Sequence, residues 1–219
     1  DGDRSAFIDN TGREINRNNL IALLSDILLK QTPGATIVTD SVTSAGLKKF
    51  IENHGGKHHR FKRGYKNVIN EAKRLNNEGI YTPLAIETSG HAAFMNNYFL
   101  DDGAYMAALL LIQLVKSKKE EVNFTDILNE VEEPAEEKEL RFTIKAEDFR
   151  NEGDKVLEAL NGYVASVKGW EIETPNYEGV RVICDGDSWF LLRLSLHEPL
   201  LCLNIETGEK AVSYTHLTL

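Results

Sequence analysis

Up to Lys116 the chain alternates short apolar runs with helical patterns, and that alternation narrows the fold more than any other feature. Ser5–Asp9 reads as a short strand and Asn10-Thr11-Gly12 as a turn. Leu20, Ile21, Leu23, Leu24, Ile27 and Leu28 then recur at helix spacing, behind Asn16, Asn18 and Asn19 as capping candidates. Thr32-Pro33-Gly34 ends that helix, and Ala35–Thr39 reads as a buried strand. Ser41–Ser44 offers caps for a helix carrying Leu47, Phe50 and Ile51, which stops at Gly55-Gly56. A short segment, His59–Lys62, leads to a helix over Lys66–Asn77 with Val68, Ile69, Ala72 and Leu75 on one face. Pro83–Glu87 is a further strand and Gly103–Lys116 a very apolar helix. Strands that alternate with helices predict a three-layer α/β domain with a mixed, mostly parallel sheet.

The pattern changes after Lys119. Glu120–Glu139 is acid-rich with Pro134 inside it, and reads mainly as a linker in which Thr125-Asp126 caps a short helix. Beyond it come a strand (Leu140–Lys145), a helix (Asn151–Tyr163), and strands over Val167–Thr174, Gly179–Cys184, Ser188–Ser195 and Pro199–Glu206. One helix beside several antiparallel strands predicts a small α+β domain. The acidic linker is expected over 121–138.

Charge and cysteine content remove several classes of function. Lys and Arg number 25 against 34 Asp and Glu, a net charge of −9, with no basic run. Nucleic acid and anionic membrane surfaces are therefore poor partners, whereas a small anion needs only a few local cations. The longest apolar stretch, Tyr105–Val115, is interrupted by Gln113 and is far short of the ~20 residues of a membrane span. Cys184 and Cys202 are too few for a disulfide framework, and read as buried free thiols of a cytoplasmic protein. The opening at Asp1, without an initiator Met, suggests a fragment, and Ala211–Leu219 lacks a helical apolar face and suggests a truncated or foreign tail.

Four segments could carry chemistry. Asp1-Gly2-Asp3-Arg4 sets two carboxylates at alternate positions of a Gly-containing loop, which suits a hard cation such as Mg²⁺ or is a solvated turn. An EF-hand is excluded, because Ala6 and Gly12 stand where that loop needs Gly and Glu. Asp185-Gly186-Asp187 repeats the tripeptide between two strands, as a hairpin turn would. Glu87-Thr88-Ser89-Gly90-His91 follows a buried strand, where open α/β sheets bind ligands, and offers Glu87, Ser89 and His91 to a polyhydroxylated ligand. A helix-capping turn would look the same. Arg193-Leu194-Ser195-Leu196-His197-Glu198-Pro199 places Arg193, Ser195 and His197 at alternate positions, as a phosphate loop or a polar strand edge would. Arg63-Gly64-Tyr65-Lys66 is a basic turn before a helix, while His58 and His59 read as surface residues.

Taken in order, these segments resemble the α-D-phosphohexomutase family of phosphomannomutases and phosphoglucomutases. Asp1, Asp3 and Arg4 match the end of its metal loop, Asp-x-Asp-x-Asp-Arg, whose first Asp would precede Asp1. Glu87, Ser89, Gly90 and His91 match its sugar loop, Gly-Glu-x-Ser-Gly-His, with Ile86 in place of the first Gly. Tyr98–Tyr105 is also similar to the family. Arg193, Ser195, Glu198 and Pro199 match its phosphate loop, Arg-x-Ser-x-Thr-Glu-Pro, with His197 replacing Thr.

The resemblance implies the end of domain 2 over 1–13, domain 3 over 14–120 and domain 4 over 139–219. It also implies Mg²⁺ held by Asp1 and Asp3, and hexose phosphates as ligands of Glu87, Ser89, His91, Lys66, Arg193, Ser195 and His197, with Arg4 supporting. The implied enzyme is an isomerase working through a phosphoserine and a hexose 1,6-bisphosphate. No serine here matches the family's catalytic motif, so the chain alone is expected to be inactive. The other reading is a non-catalytic sugar-phosphate binding module.

Overall fold

A computed structural model describes residues 2–184, 188–196 and 198–208. The chain divides into two units, Asp1–Glu132 and Glu133–Leu219.

The first unit opens with a small hairpin, β1 (Phe7–Ile8) against β2 (Glu14–Ile15). Asp9 closes its turn by accepting from Thr11 N, Thr11 Oγ1 and Arg13 N, and these hydrogen bonds, led by the Thr11 hydroxyl, lower its pKa. Then follow α1 (Arg17–Leu29), β3 (Thr36–Thr39), α2 (Ala45–Asn53), β4 (Lys57–Arg60), α3 (Tyr65–Asn77), β5 (Leu84–Ile86), β6 (Ala92–Phe94) and α4 (Gly103–Lys119). The sheet order is β4-β3-β5-β6, with β3 parallel to β4 and β5, and β6 antiparallel to β5.

Period-2 alternation splits each strand between two cores. Ile37, Leu84, Ile86, Ala92 and Phe94 face α1, α2 and α4, packing on Leu20, Leu24, Leu47, Phe50 and Met106. Val38, Ala85 and Ala93 face α3, packing on Val68, Ile69, Ala72 and Leu75. This is the expected three-layer arrangement. Ser44 caps α2 by accepting from Leu47 N, a contact worth about 1 kcal/mol. Asn16 occupies the N-cap position of α1 without a side-chain cap bond, and Asn18 instead accepts from Ser44 N. The outer face of α4 leaves Leu111, Ile112 and Val115 exposed. No helix among the described residues is long and apolar enough to cross a membrane.

Three expectations need correction. β6 is a strand beyond those expected, because Ala92–Phe94 pairs back on β5 immediately after the Gly90 turn. His58 and His59 belong to β4 and are half-buried: His58 Nε2 lies 2.8 Å from Thr39 Oγ1, and His59 Nε2 lies 2.9 Å from Glu71 Oε1. The stretch 121–138 is not a free linker. Its 3₁₀ turn, Asp126–Glu130, sends Leu128 into the first unit's core, followed by Val131, and strand β7 already begins at Glu136.

The second unit contains β7 (Glu136–Thr143), α5 (Phe149–Val164), β8 (Glu171–Ile172), β9 (Val180–Ile183), β10 (Trp189–Leu194) and β11 (Leu200–Thr207). Its antiparallel sheet runs β7-β11-β10-β9-β8, as an α+β domain requires, although β8 is far shorter than the expected Val167–Thr174. Val180, Val182 and Phe190 pack on Leu157, Leu160 and Val164 of α5. Gly153 lets α5 approach β10 closely, since a Cβ there would stand 2.2 Å from Leu194 Cδ2. The other face of the sheet is also buried, yet carries Arg181, Arg193 and Asn204 beside Trp189 and Leu191. The Arg181 guanidinium lies 3.5 Å from the centroid of the Trp189 ring. Cys202 is a buried free thiol as expected, whereas Cys184 is only partly buried. Asp1, Asp185-Gly186-Asp187, His197 and residues 209–219, tail included, fall outside the described residues.

Candidate active site

In the first unit the candidate residues gather at the carboxyl ends of β3, β4 and β5. Glu87 and His91 face each other as the last pair before a three-residue hairpin loop, with Glu87 N donating to His91 O and Gly90 N to Glu87 O. Gly90 takes a φ of +92°, which a side chain would resist, so the tight reversal depends on it. Ser89 is exposed at the tip, while Glu87 is buried beneath it.

The Glu87 carboxylate holds two neighbours. It accepts from Gly64 N, in the turn after β4, and from Ser89 Oγ at 3.1 Å. Across the same turn the Tyr65 ring stacks on the His91 imidazole, with centroids 5.0 Å apart and planes at 23°. Lys66 is exposed, with its ammonium 5.8 Å from the centroid of the Tyr65 ring. Arg4 pairs with His91 through its backbone, leaving its guanidinium exposed. Gly103 permits this approach, because a Cβ there would come within 2.7 Å of the Arg4 carbonyl carbon.

Asp3, His91 and Asp101 form a cluster whose ligand atoms lie within 4.8 Å of one another. His91 Nδ1 is 2.7 Å from Asp101 Oδ2 and 3.9 Å from Asp3 Oδ2, and Asp101 Oδ1 is buried without a hydrogen-bond partner among the described residues. Two carboxylates and an imidazole are a reasonable donor set for a divalent cation, the carboxylates suiting Mg²⁺ and the imidazole softer ions. The sequence reading paired Asp3 with Asp1 and did not single out Asp101. The signal available was its place in the Tyr98–Tyr105 segment.

Asp40, at the end of β3, was also missed. It is fully buried and accepts from Thr88 Oγ1 at 2.8 Å and Thr88 N at 3.3 Å, with Arg63 Nε 3.9 Å away. Burial, reinforced by the nearby Glu87 carboxylate, pushes its pKa up to about 6.

In the second unit Arg193 is the penultimate residue of β10 and is buried on the polar sheet face, with its Nε unpartnered among the described residues. The loop beyond it is braced locally. Ser195 N donates to Leu200 O, Glu198 N donates to Ser195 Oγ at 3.3 Å, and Arg150 Nη2 of α5 donates to Leu196 O at 3.1 Å.

Polar loops converging at the carboxyl ends of strands are where open α/β sheets place their ligand sites, so the first unit is an α/β/α domain of that class. The profile of the phosphoglucomutase/phosphomannomutase alpha/beta/alpha domain III matches residues 16–133. The chain belongs to that family.

It is 30% identical over 214 residues to a phosphomannomutase/phosphoglucomutase of Pseudomonas putida, covering 96% of this chain and 42% of that protein. It is 31% identical over 220 residues to a phosphoglucomutase/phosphomannomutase of Thermococcus kodakarensis, covering 99% and 44%. A crystal structure of a phosphoglucomutase/phosphomannomutase family protein from Burkholderia thailandensis superposes with a TM-score of 0.76 at 27% identity, covering 96% and 42%. The chain thus spans about two-fifths of the length of the relatives it matches.

Proposed function

We propose that this chain supplies the sugar- and phosphate-recognising part of a phosphohexomutase. The reaction interconverts hexose 1-phosphate and hexose 6-phosphate through an enzyme phosphoserine and a hexose 1,6-bisphosphate. The observation that carries the reading is Arg193, a buried residue whose guanidinium Nε has no partner among the described residues, at the mouth of a loop that also offers the Ser195 hydroxyl. Burying a guanidinium N–H without an acceptor is costly, and an anion is the group that offsets the cost. Arg193, with Ser195 and His197, would grip the phosphate that is not reacting.

Glu87 and Ser89 would read the sugar hydroxyls, the carboxylate accepting and the hydroxyl doing either. A bisphosphate that presents each end in turn needs contacts common to both orientations, and one anion clamp with one hydroxyl-reading loop supplies them. His91, Lys66 and Arg4 would give supporting contacts. His91 is oriented by Asp101, and a proton held on Nδ1 leaves Nε2 of the neutral ring as an acceptor. Asp1 and Asp3, with Asp101 beside Asp3, would hold Mg²⁺, which when bound stabilises charge on a transferring phosphoryl group. We place the phosphoserine outside these 219 residues, so the chain alone should not turn over.

Calorimetric titration with mannose 1-phosphate and glucose 1-phosphate tests the reading. Binding that disappears in Arg193→Ala supports it and ranks the two sugars. Equal affinity in the variant would remove Arg193 as the clamp.

A further inference from the structure

We propose that Asp40 is a positioning residue, which ties the sugar loop to the end of β3 through Thr88 and so aims Glu87 and Ser89. The inference rests on the sugar-loop reading above and adds a residue that touches no ligand.

Geometry carries it. Asp40 is fully buried, and both of its carboxylate oxygens are spent on one residue of the loop: Oδ2 accepts from Thr88 Oγ1 and Oδ1 from Thr88 N. Thr88 lies between Glu87 and Ser89 in the hairpin turn. Thr88 is thus anchored inward at the start of the turn, while its two neighbours meet each other on the far side of it: Ser89 Oγ donates to Glu87, which also accepts from Gly64 N in the turn after β4. The charged groups facing Asp40 are Arg63 from that turn and Glu87 from the loop itself.

The location is also energetically unfavourable. A buried carboxylate beside a second carboxylate is harder to ionise than an exposed one, and its raised pKa records that cost. An apolar or amide side chain would relieve it. A destabilising charge at a ligand loop is the pattern expected where stability is given up for geometry.

Two independent cuts of the tether test this. Thr88→Val removes the hydroxyl donor and keeps the shape, and Asp40→Asn removes the charge. Thr88→Ser restores the hydroxyl. Both cuts should weaken glucose 1-phosphate or mannose 1-phosphate binding about tenfold at pH 7.5, the loss of one charged hydrogen bond. Thr88→Ser should bind within about twofold of the parent. The ratio of parent to Asp40→Asn affinities should fall toward one at pH 5, and because it is a ratio, the ligand's own titration cancels.

Wild-type affinity in both cut variants would overturn the proposal, as would a Thr88→Ser loss equal to that of Thr88→Val. Amide exchange at Thr88 and Gly90 supplies a readout without ligand. Faster exchange in the cut variants upholds the tether even where no protein binds hexose phosphate, and that pairing would overturn the sugar reading alone. Unchanged exchange there would overturn the tether.

Discussion

His91 Nδ1 stands 2.7 Å from a carboxylate oxygen of Asp101, while Asp3 approaches the same nitrogen at 3.9 Å. Three potential ligands thus converge from the start of the chain, the hairpin loop and the turn before α4. Mn²⁺ is a sensitive probe of such a group. Asp3→Asn and Asp101→Asn should each weaken Mn²⁺ binding, read by water-proton relaxation, at least about tenfold. Unchanged affinity in both variants would leave the cluster as a hydrogen-bonded motif with no ion.

The proposed clamp role of Arg193 sets ligand binding against stability. Replacing it with Leu removes a buried charge, so the unliganded second unit should melt at the same or a higher temperature. Hexose phosphate should raise the melting temperature of the parent and leave Arg193→Leu unmoved. In Arg193→Ala the lost affinity should be about 1.5–3 kcal/mol, the range for a charged hydrogen bond. An equal ligand-induced shift in parent and variant would exclude the clamp.

Asp40 gives stability a pH dependence of unusual sign for a carboxyl group. Its folded pKa of about 6 lies above the ordinary 3.8, so the native state holds this proton more tightly than the unfolded chain. Its contribution is fully present below pH 3.8 and is lost as pH rises through 6. Relative to Asp40→Asn, the parent should lose on the order of 3 kcal/mol between those limits, at about 1.4 kcal/mol per pKa unit. Denaturant titrations of both proteins at pH 4.5 and 7.5 check this, and a difference that does not change with pH contradicts it.

The acid-rich stretch should behave as part of the first unit. Leu128 is 1% exposed in that core, so Leu128→Ala should cost about 2–5 kcal/mol. A chain ending after Glu120 should accordingly be much less stable than one ending after Glu132. Equal stabilities would restore the linker reading.

Much of the fold was legible because helices with one apolar stripe announce themselves. Val68, Ile69, Ala72 and Leu75 define α3 without help from any neighbour. β6 was not legible, since its three residues gain strand character only by pairing with β5. Leu128 and Val131 were hidden by the carboxylates around them, which dominate composition while the apolar pair decides the packing. Within the site, Glu87, Ser89 and His91 stood out because one short loop holds all three. Asp101 and Asp40 did not, because their partners lie 10 and 48 residues away and a single Asp carries no local signal.

The Glu87 bond to Gly64 N and the Tyr65 stack on His91 also bear on how this surface can evolve. The hairpin loop and the turn after β4 are cross-braced, so neither can drift alone. A substitution in one turn changes which replacements the other tolerates. A change in what this surface binds should appear in sequence as paired replacements across the two turns, each mildly harmful without its partner.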